Sequence, residues 1–555
     1  MPQRLSALDS VFLNFESEHE PMHVGALYIF EGKPEVPGRP GVAGLFQTMQ
    51  ERLSLLPRYR QRIQNVPAAL GHPVWVDDPD FDLAYHLRRV ALPKPGRDKE
   101  LLEVVARLHS RILDRHRPLW EMYIIEGLKG GNVAIYAKTH HAMVDGVAAV
   151  DLATTIFDFD PEGWRAPPGE PFRPRPLLSA QELVGDVVKE AAGSLRDVAA
   201  SILRSPVRAP AQIAGEALKA VQATELLPML RPVPAGPLNV KVGGARRIEL
   251  VSISLPRVKA IKNALGGTVN DVALTAVGEG IHAFLEHRGE AIPDDLMYRV
   301  LVPVSLRSEE EKSSLGNRVS AMFLDMPVGR MAARRRLQLV QRSMGALKDK
   351  HQSAAWGQVL ELAARVPALL HSIAGRGPYA NQRFINMVIS NVPGVQIPAY
   401  AGGARLLEAY PLLPVAANLA VIVCVASYDG GLYFGVVGDY DGFPDLDVLA
   451  AGIEGGVENL ERAAGARPPK LAARSARPAP PATNGAHSAG VASNGARSAR
   501  SASNGARSAR AASNGAQGSP ARAPAPAKLS RSSVREAARV AATIVPPAAP
   551  RSAGD

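Results

Sequence analysis

The sequence predicts an α+β protein with two halves of similar size, a helical connector between them and a disordered tail behind them. Three observations predict it. Strand and helix patterns alternate through residues 1–160 and again through residues 246–464, as expected of sheets carrying helices on one side. Residues 161–245 between them are first proline-rich and then helical in period but less hydrophobic. After residue 464 the composition changes abruptly, and no Phe, Trp or Tyr follows as far as Asp555. The 464 residues before that break are too many for one core, at roughly 100–200 residues per domain.

In the first half, residues 23–30 are rich in strand-forming side chains. Residues 101–113 place Leu101, Val104, Val105, Leu108 and Ile112 at helical spacing. Residues 122–128 and 132–139 predict two short strands, and Lys129-Gly130-Gly131 between them predicts a hairpin turn. Residues 161–176 predict a linker and residues 178–230 a helical stretch. That stretch either packs on both halves or presents an amphipathic face to a membrane. In the second half, residues 247–254 alternate as a strand and residues 269–286 predict a long apolar helix. Residues 299–303, 318–326, 387–390, 419–427 and 432–437 predict further strands, and residues 446–460 a closing helix. The apolar run 413–426 is interrupted by Pro414 and Asn418, too short to span a membrane, and predicts a buried strand.

The tail, residues 465–555, holds a ten-residue repeat with Asn484, Asn494, Asn504 and Asn514 in register. Such a repeat has nothing to bury, so disorder is expected, with only a weak helix at 529–545. The tail also explains the charge. The chain carries 64 Lys and Arg against 53 Asp and Glu, a net charge of +11. Fourteen of those basic residues, but only the acids Glu536 and Asp555, lie from Gly465 onward. The preceding 464 residues hold 50 basic and 51 acidic groups and are nearly neutral. No nucleic-acid partner is expected, because the basic tail lacks the aromatics that stack on bases. The single cysteine, Cys424, excludes an intramolecular disulfide and a cysteine-based zinc cluster. The first 20 residues lack the apolar core of a signal peptide, so a cytoplasmic protein is expected, with peripheral membrane contact left open.

The segment that carries chemistry is Lys138-Thr139-His140-His141-Ala142-Met143-Val144-Asp145-Gly146, at the end of the strand 132–139. Side chains alternate along a strand, so His140 and His141 cannot face the same cavity while the strand persists. Asp145 is either a helix cap for residues 147–157 or part of the site. No third ligand lies at useful spacing, so no metal is expected. Neither a G-x-S-x-G elbow nor a phosphate-binding glycine loop is present. A neutral histidine acting as general base remains.

The run His140-His141-Ala142-Met143-Val144-Asp145-Gly146 resembles the HHxxxDG signature of the CoA-dependent acyltransferase superfamily. Asp9 to Phe12 with Met22-His23-Val24-Gly25 resembles the N-terminal segment of bacterial wax ester synthase/acyl-CoA:diacylglycerol acyltransferases. Pro118-Leu119-Trp120 resembles that family's PLW motif, and Asn270-Asp271 its ND motif. Pro303-Val304-Ser305-Leu306-Arg307, Gly316-Asn317 and Ser390-Asn391-Val392-Pro393-Gly394 resemble its C-terminal signatures. The resemblance covers residues 1 to about 463; the repeat tail has no counterpart in it.

The resemblance implies two chloramphenicol-acetyltransferase-like domains with a tunnel between them, entered by acyl-CoA from one face and by the acceptor alcohol from the other. It implies acyl-CoA as co-substrate with no bound cofactor, and diacylglycerol or a long-chain alcohol as acceptor; a cytoplasmic protein peripheral to the inner membrane or lipid droplets is expected. His141 is then the base, and His140 either a supporting residue or a second base. Asp145 supports the loop through an arginine, and Asn270 is either an amide donor near the reacting centre or a cap. Asp271 is structural. Trp120 lines the tunnel or domain interface, Asn391 contacts substrate, and Arg307 and Arg318 are candidates for the CoA phosphates. Two other functions fit the sequence: acylation of a specialised lipid, and a lipid-surface coat protein without catalysis.

Overall fold

Burial alternates along residues 23–30, as the period-2 pattern dictates, and the segment is a strand. The computed structural model describes residues 3–143, 153, 155–166, 171–189, 192, 231–233, 236–305, 319–349 and 382–465. All belong to the first of two units, Met1–Pro469. Val144, Asp145, Gly146, Leu306, Arg307, Gly316, Asn317 and Arg318 lie outside the described residues. So do the repeat tail and most of the expected connector helix, of which residues 180–189 are described and helical.

The first half begins with α1 (Ala7–Phe15) and contains β1 (His23–Phe30), α2 (Leu45–Arg52), β2 (Gln61–Gln64), β3 (Val74–Asp77) and β4 (Leu87–Ala91). It continues with α3 (Asp98–His109), β5 (Trp120–Glu126) and β6 (Val133–His140). The second half supplies β7 (Arg246–Ser254), α4 (Leu255–Leu265), α5 (Val269–His287), β8 (Met297–Ser305), β9 (Val319–Pro327) and α6 (Ala333–Asp349). It ends with β10 (Met387–Val392), β11 (Tyr400–Ala401), β12 (Ala404–Leu412), β13 (Val421–Tyr428), β14 (Gly431–Asp439) and α7 (Leu446–Ala463).

These strands make two six-stranded sheets, in the orders β11-β12-β1-β6-β5-β4 and β7-β14-β13-β10-β8-β9, and a β2-β3 hairpin. The first sheet therefore contains two strands from the second half. β12 pairs antiparallel with β1, with Gly25 opposite Leu412, and β1 pairs antiparallel with β6. Gly435 on β14 lets the β12 backbone approach, because a Cβ there would lie 1.9 Å from the Pro411 carbonyl oxygen. One apolar core runs through both sheets, from Leu27 and Phe30 through Tyr410 and Leu412 to Phe434 and Val437. Arg246 adds a polar tie, donating through its backbone N–H to Ser110 Oγ at 3.1 Å and through Nη2 to the His19 carbonyl.

The apolar run 413–426 becomes strand only from Val421, later than expected. Pro414 has no N–H for a ladder, and Ala417 takes a left-handed φ of 57°. Asn418 pins the loop by donating to the Gln382 carbonyl at 2.6 Å. Helix α5 opens with a capping box in which Thr268 accepts from the Asp271 N–H and Asp271 accepts from the Thr268 N–H. Thr268 is thus the cap, which removes that role from Asn270 and makes Asp271 structural. Among the described residues no helix is long and apolar enough to cross a membrane.

Candidate active site

Strand β6 delivers the two histidines, and its last pair differs sharply. His140 is the final strand residue and is fully buried. Its Nδ1 accepts the Ala142 N–H at 3.0 Å. The ring proton therefore sits on Nε2, which lies 3.4 Å from Glu16 Oε1. Its backbone N–H donates to the Leu119 carbonyl at 2.9 Å, so the central residue of Pro118-Leu119-Trp120 holds the strand end in place. His141 is the first residue of the following turn and is partly exposed. Its N–H donates to the Met22 carbonyl at 2.9 Å. Its ring stacks on Phe12, with centroids 3.9 Å apart and planes within 11°. The two histidines have different surroundings, as strand alternation requires.

Glu16 organises this end of the site. Its Oε1 accepts the Met22 N–H at 3.2 Å, and its Oε2 accepts Arg115 Nε and Nη2 at 3.0 and 2.9 Å. Burial pushes the Glu16 carboxyl up, but His140 and the Arg115 guanidinium outweigh it and hold it below the usual carboxylate range. Glu16 is therefore a charged group, buried yet fully partnered.

Beneath His140 the same face of the sheet is polar. The register puts His23 opposite His140 and Gly25 opposite Lys138 on β1 and β6, and Glu121 opposite Lys138 on β5. Lys138 Nζ lies 3.1 Å from Glu121 Oε2 and donates to the Leu108 and Arg111 carbonyls at 3.2 and 2.9 Å, covering the C-terminal end of α3. His23 Nε2 donates to the His109 carbonyl at 2.8 Å, and His109 Nδ1 lies 2.7 Å from the Tyr136 hydroxyl. Burial drives both His23 and His109 to the neutral form, the latter down to about 3. Gly25 makes room for this network, since a Cβ there would lie 3.0 Å from the Tyr136 ring.

Trp120 lies on the opposite face of the same sheet and is 1% exposed. Its indole N–H donates to the Tyr59 carbonyl at 2.9 Å, and its ring stacks on His86 at 4.5 Å. It packs under the histidine strand, away from open surface. The second sheet brings together Asn270, in the first turn of α5, and Asn391, on β10. Asn391 Nδ2 donates to Asn270 Oδ1 at 2.8 Å, which directs the Asn270 N–H groups away from that bond. Asp145 and Arg307 lie outside the described residues. Phe12 fell within a motif but had no assigned role, and Glu16 and Arg115 had no local signal at all, because their partners lie up to 124 residues away in the chain.

The family model described as the wax ester synthase/diacylglycerol acyltransferase catalytic domain matches residues 5–273, and the WS/DGAT C-terminal domain model matches residues 315–461. A Mycobacterium tuberculosis protein named "Probable diacyglycerol O-acyltransferase tgs2" is 37% identical over 465 residues, covering 82% of this chain and 98% of that protein. Among solved structures, the wax ester synthase/diacylglycerol acyltransferase from Marinobacter aquaeolei VT8 aligns with a TM-score of 0.59 and 30% identity, covering 83% of this chain and all of that one. The first condensation domain of the CDA synthetase shares the two-domain α+β fold, with a TM-score of 0.50 and 18% identity over 83% of this chain and 96% of that one.

Proposed function

Because this chain belongs to the wax ester synthase/diacylglycerol acyltransferase family and is an acyltransferase, we propose that it moves a long-chain acyl group from acyl-CoA to diacylglycerol, with long-chain alcohols as second acceptors and His141 as general base. What supports His141 over its neighbour is that His140 is fully buried, with Nδ1 accepting the Ala142 N–H and Nε2 facing Glu16 Oε1 at 3.4 Å, whereas His141 stands partly exposed on the turn. An alcohol has a pKa far above that of imidazole, so His141 takes the proton as the oxygen attacks the thioester carbonyl. The tetrahedral adduct then expels the thiolate, the C–S bond breaks, and the proton returns from His141 to sulfur. No acyl-enzyme is needed. Cys424 is an unsuitable nucleophile, since burial pushes its thiol up to about 12.

In this scheme Asn270, oriented by Asn391, donates to the oxyanion, and Trp120 keeps the histidine strand in register. Asp145 supports the motif loop and Arg307 meets the CoA phosphates. Labelled acyl-CoA offered with diacylglycerol or with a long-chain alcohol tests the reaction. Triacylglycerol with release of CoA is expected, with wax ester as a second product. CoA release without either product would point to a specialised lipid acceptor. Lipid-droplet binding without any CoA release would point to a coat protein.

The acceptors reside at membrane or lipid-droplet surfaces, and the basic tail suits such a place. Each Lys or Arg near an anionic surface contributes about 1 kcal/mol, and the tail has fourteen. A chain ended at residue 464 should keep its activity on dispersed substrate while binding vesicles of anionic phospholipid more weakly. Unchanged vesicle binding would reject the tether.

A further inference from the structure

The residues around the histidine pair converge on one short element. Helix α1 presents Phe12, Leu13 and then, at its C-terminal cap, Glu16. Phe12 stacks on the His141 ring. Leu13 is buried in a small cluster with Leu119 and Ala142, the residue after His141. Glu16 holds the Nε2 side of His140 and the Met22 N–H, and the Met22 carbonyl in turn receives the His141 N–H. Positions 12 and 16 are one helical turn apart, so the spacing of α1 sets the spacing of the two histidine contacts. Arg115 locks the helix from behind, donating to the Leu13 carbonyl at 2.6 Å as well as to Glu16.

We infer that α1 is a clamp for the catalytic base, in which Phe12 positions the His141 ring and Glu16 positions the strand end through His140 and Met22. This rests on His141 being the base. Neither Phe12 nor Glu16 exchanges a proton with substrate; both act by holding His141 in the orientation that accepts the alcohol proton. The ring face of Phe12 fixes the imidazole plane, and Glu16 fixes the backbone from which the ring projects. Loss of positioning near a reacting centre lowers turnover by roughly 10–100-fold while leaving substrate binding little changed.

The test is steady-state kinetics with acyl-CoA and diacylglycerol on the full chain, separating kcat from KM, for Phe12→Leu, Phe12→Tyr, Glu16→Gln and His141→Ala. Phe12→Leu keeps an apolar side chain at a partly exposed position and removes the ring. Its kcat should fall by about tenfold or more with KM within about twofold of the parent, and Phe12→Tyr should restore most of it. Glu16→Gln keeps the shape but satisfies only one of its two sides, and its kcat should fall in the same way. If Phe12→Leu and Phe12→Tyr turn over equally well, or Phe12→Leu keeps the parent kcat, the clamp is overturned while an inactive His141→Ala upholds the base. A fully active His141→Ala would remove the base and the clamp together. Should Glu16→Gln fail to fold, the two Phe12 variants decide the matter alone.

Discussion

His141→Ala is expected to yield a folded protein whose acyl transfer is slower by roughly 10²–10⁴, the usual contribution of a general base. The physical basis is the contrast with its neighbour. His141 stands on a turn, is partly exposed, and keeps its backbone bond to the Met22 carbonyl whatever its side chain. Truncating it removes the stacking contact with Phe12 from a partly exposed position. His140→Ala is different in kind. It would empty a fully buried site, leave the Ala142 N–H without its acceptor and take His140 from Glu16. That variant should lose stability as well as activity. Circular dichroism and thermal denaturation beside a CoA-release assay separate the two outcomes. Full activity in His141→Ala would sink the base assignment.

Arg336→Ala is expected to lower stability by about 3–5 kcal/mol, the range for removing one partner of a buried ion pair. Arg336 on α6 is fully buried. Its Nε donates to Glu279 Oε1 on α5 at 2.7 Å, and its other nitrogens donate to the Pro327 and Gly329 carbonyls at 2.5 and 3.1 Å. The second Glu279 oxygen accepts Asn459 Nδ2 from α7 at 3.1 Å. The Arg336–Glu279 pair thus ties three helices and the end of β9. Without Arg336 the buried Glu279 carboxyl loses its cation and keeps, among the described residues, the Asn459 donor, and a cavity adds to the loss. Replacing both partners with apolar side chains, as in Arg336→Met with Glu279→Leu, should recover much of the stability, since the isolated charge is then gone. Urea unfolding of the three proteins measures this. A loss below about 1 kcal/mol in Arg336→Ala would show that the pair is not the tie described.

Legibility of the fold followed the period of the pattern. Strand β1 and helices α5 and α7 read clearly because their apolar side chains recur at the spacing of a single element. Strands β11 and β12 did not, although they complete the first sheet. Their role depends on pairing with β1 across nearly 400 residues of chain, as in Gly25 opposite Leu412. Helix α6 also went unread, for its sequence is rich in arginine and its buried Arg336 looks like a surface residue until Glu279 is placed beside it.

By itself the sequence determined the two-half α+β architecture and the neutral body with its basic tail, and it marked the histidine pair as the candidate place of chemistry. Those features are local: a period, a composition and a motif on a strand end. Only the tertiary structure decided what surrounds each histidine. Strand alternation required the two rings to diverge, but it could not say that Ala142 and Glu16 would occupy His140 or that Phe12 would stack on His141. The contacts of Glu16 and Phe12 join residues more than 120 positions apart, and they exist because burying a carboxylate and an imidazole requires partners that only folding brings within reach.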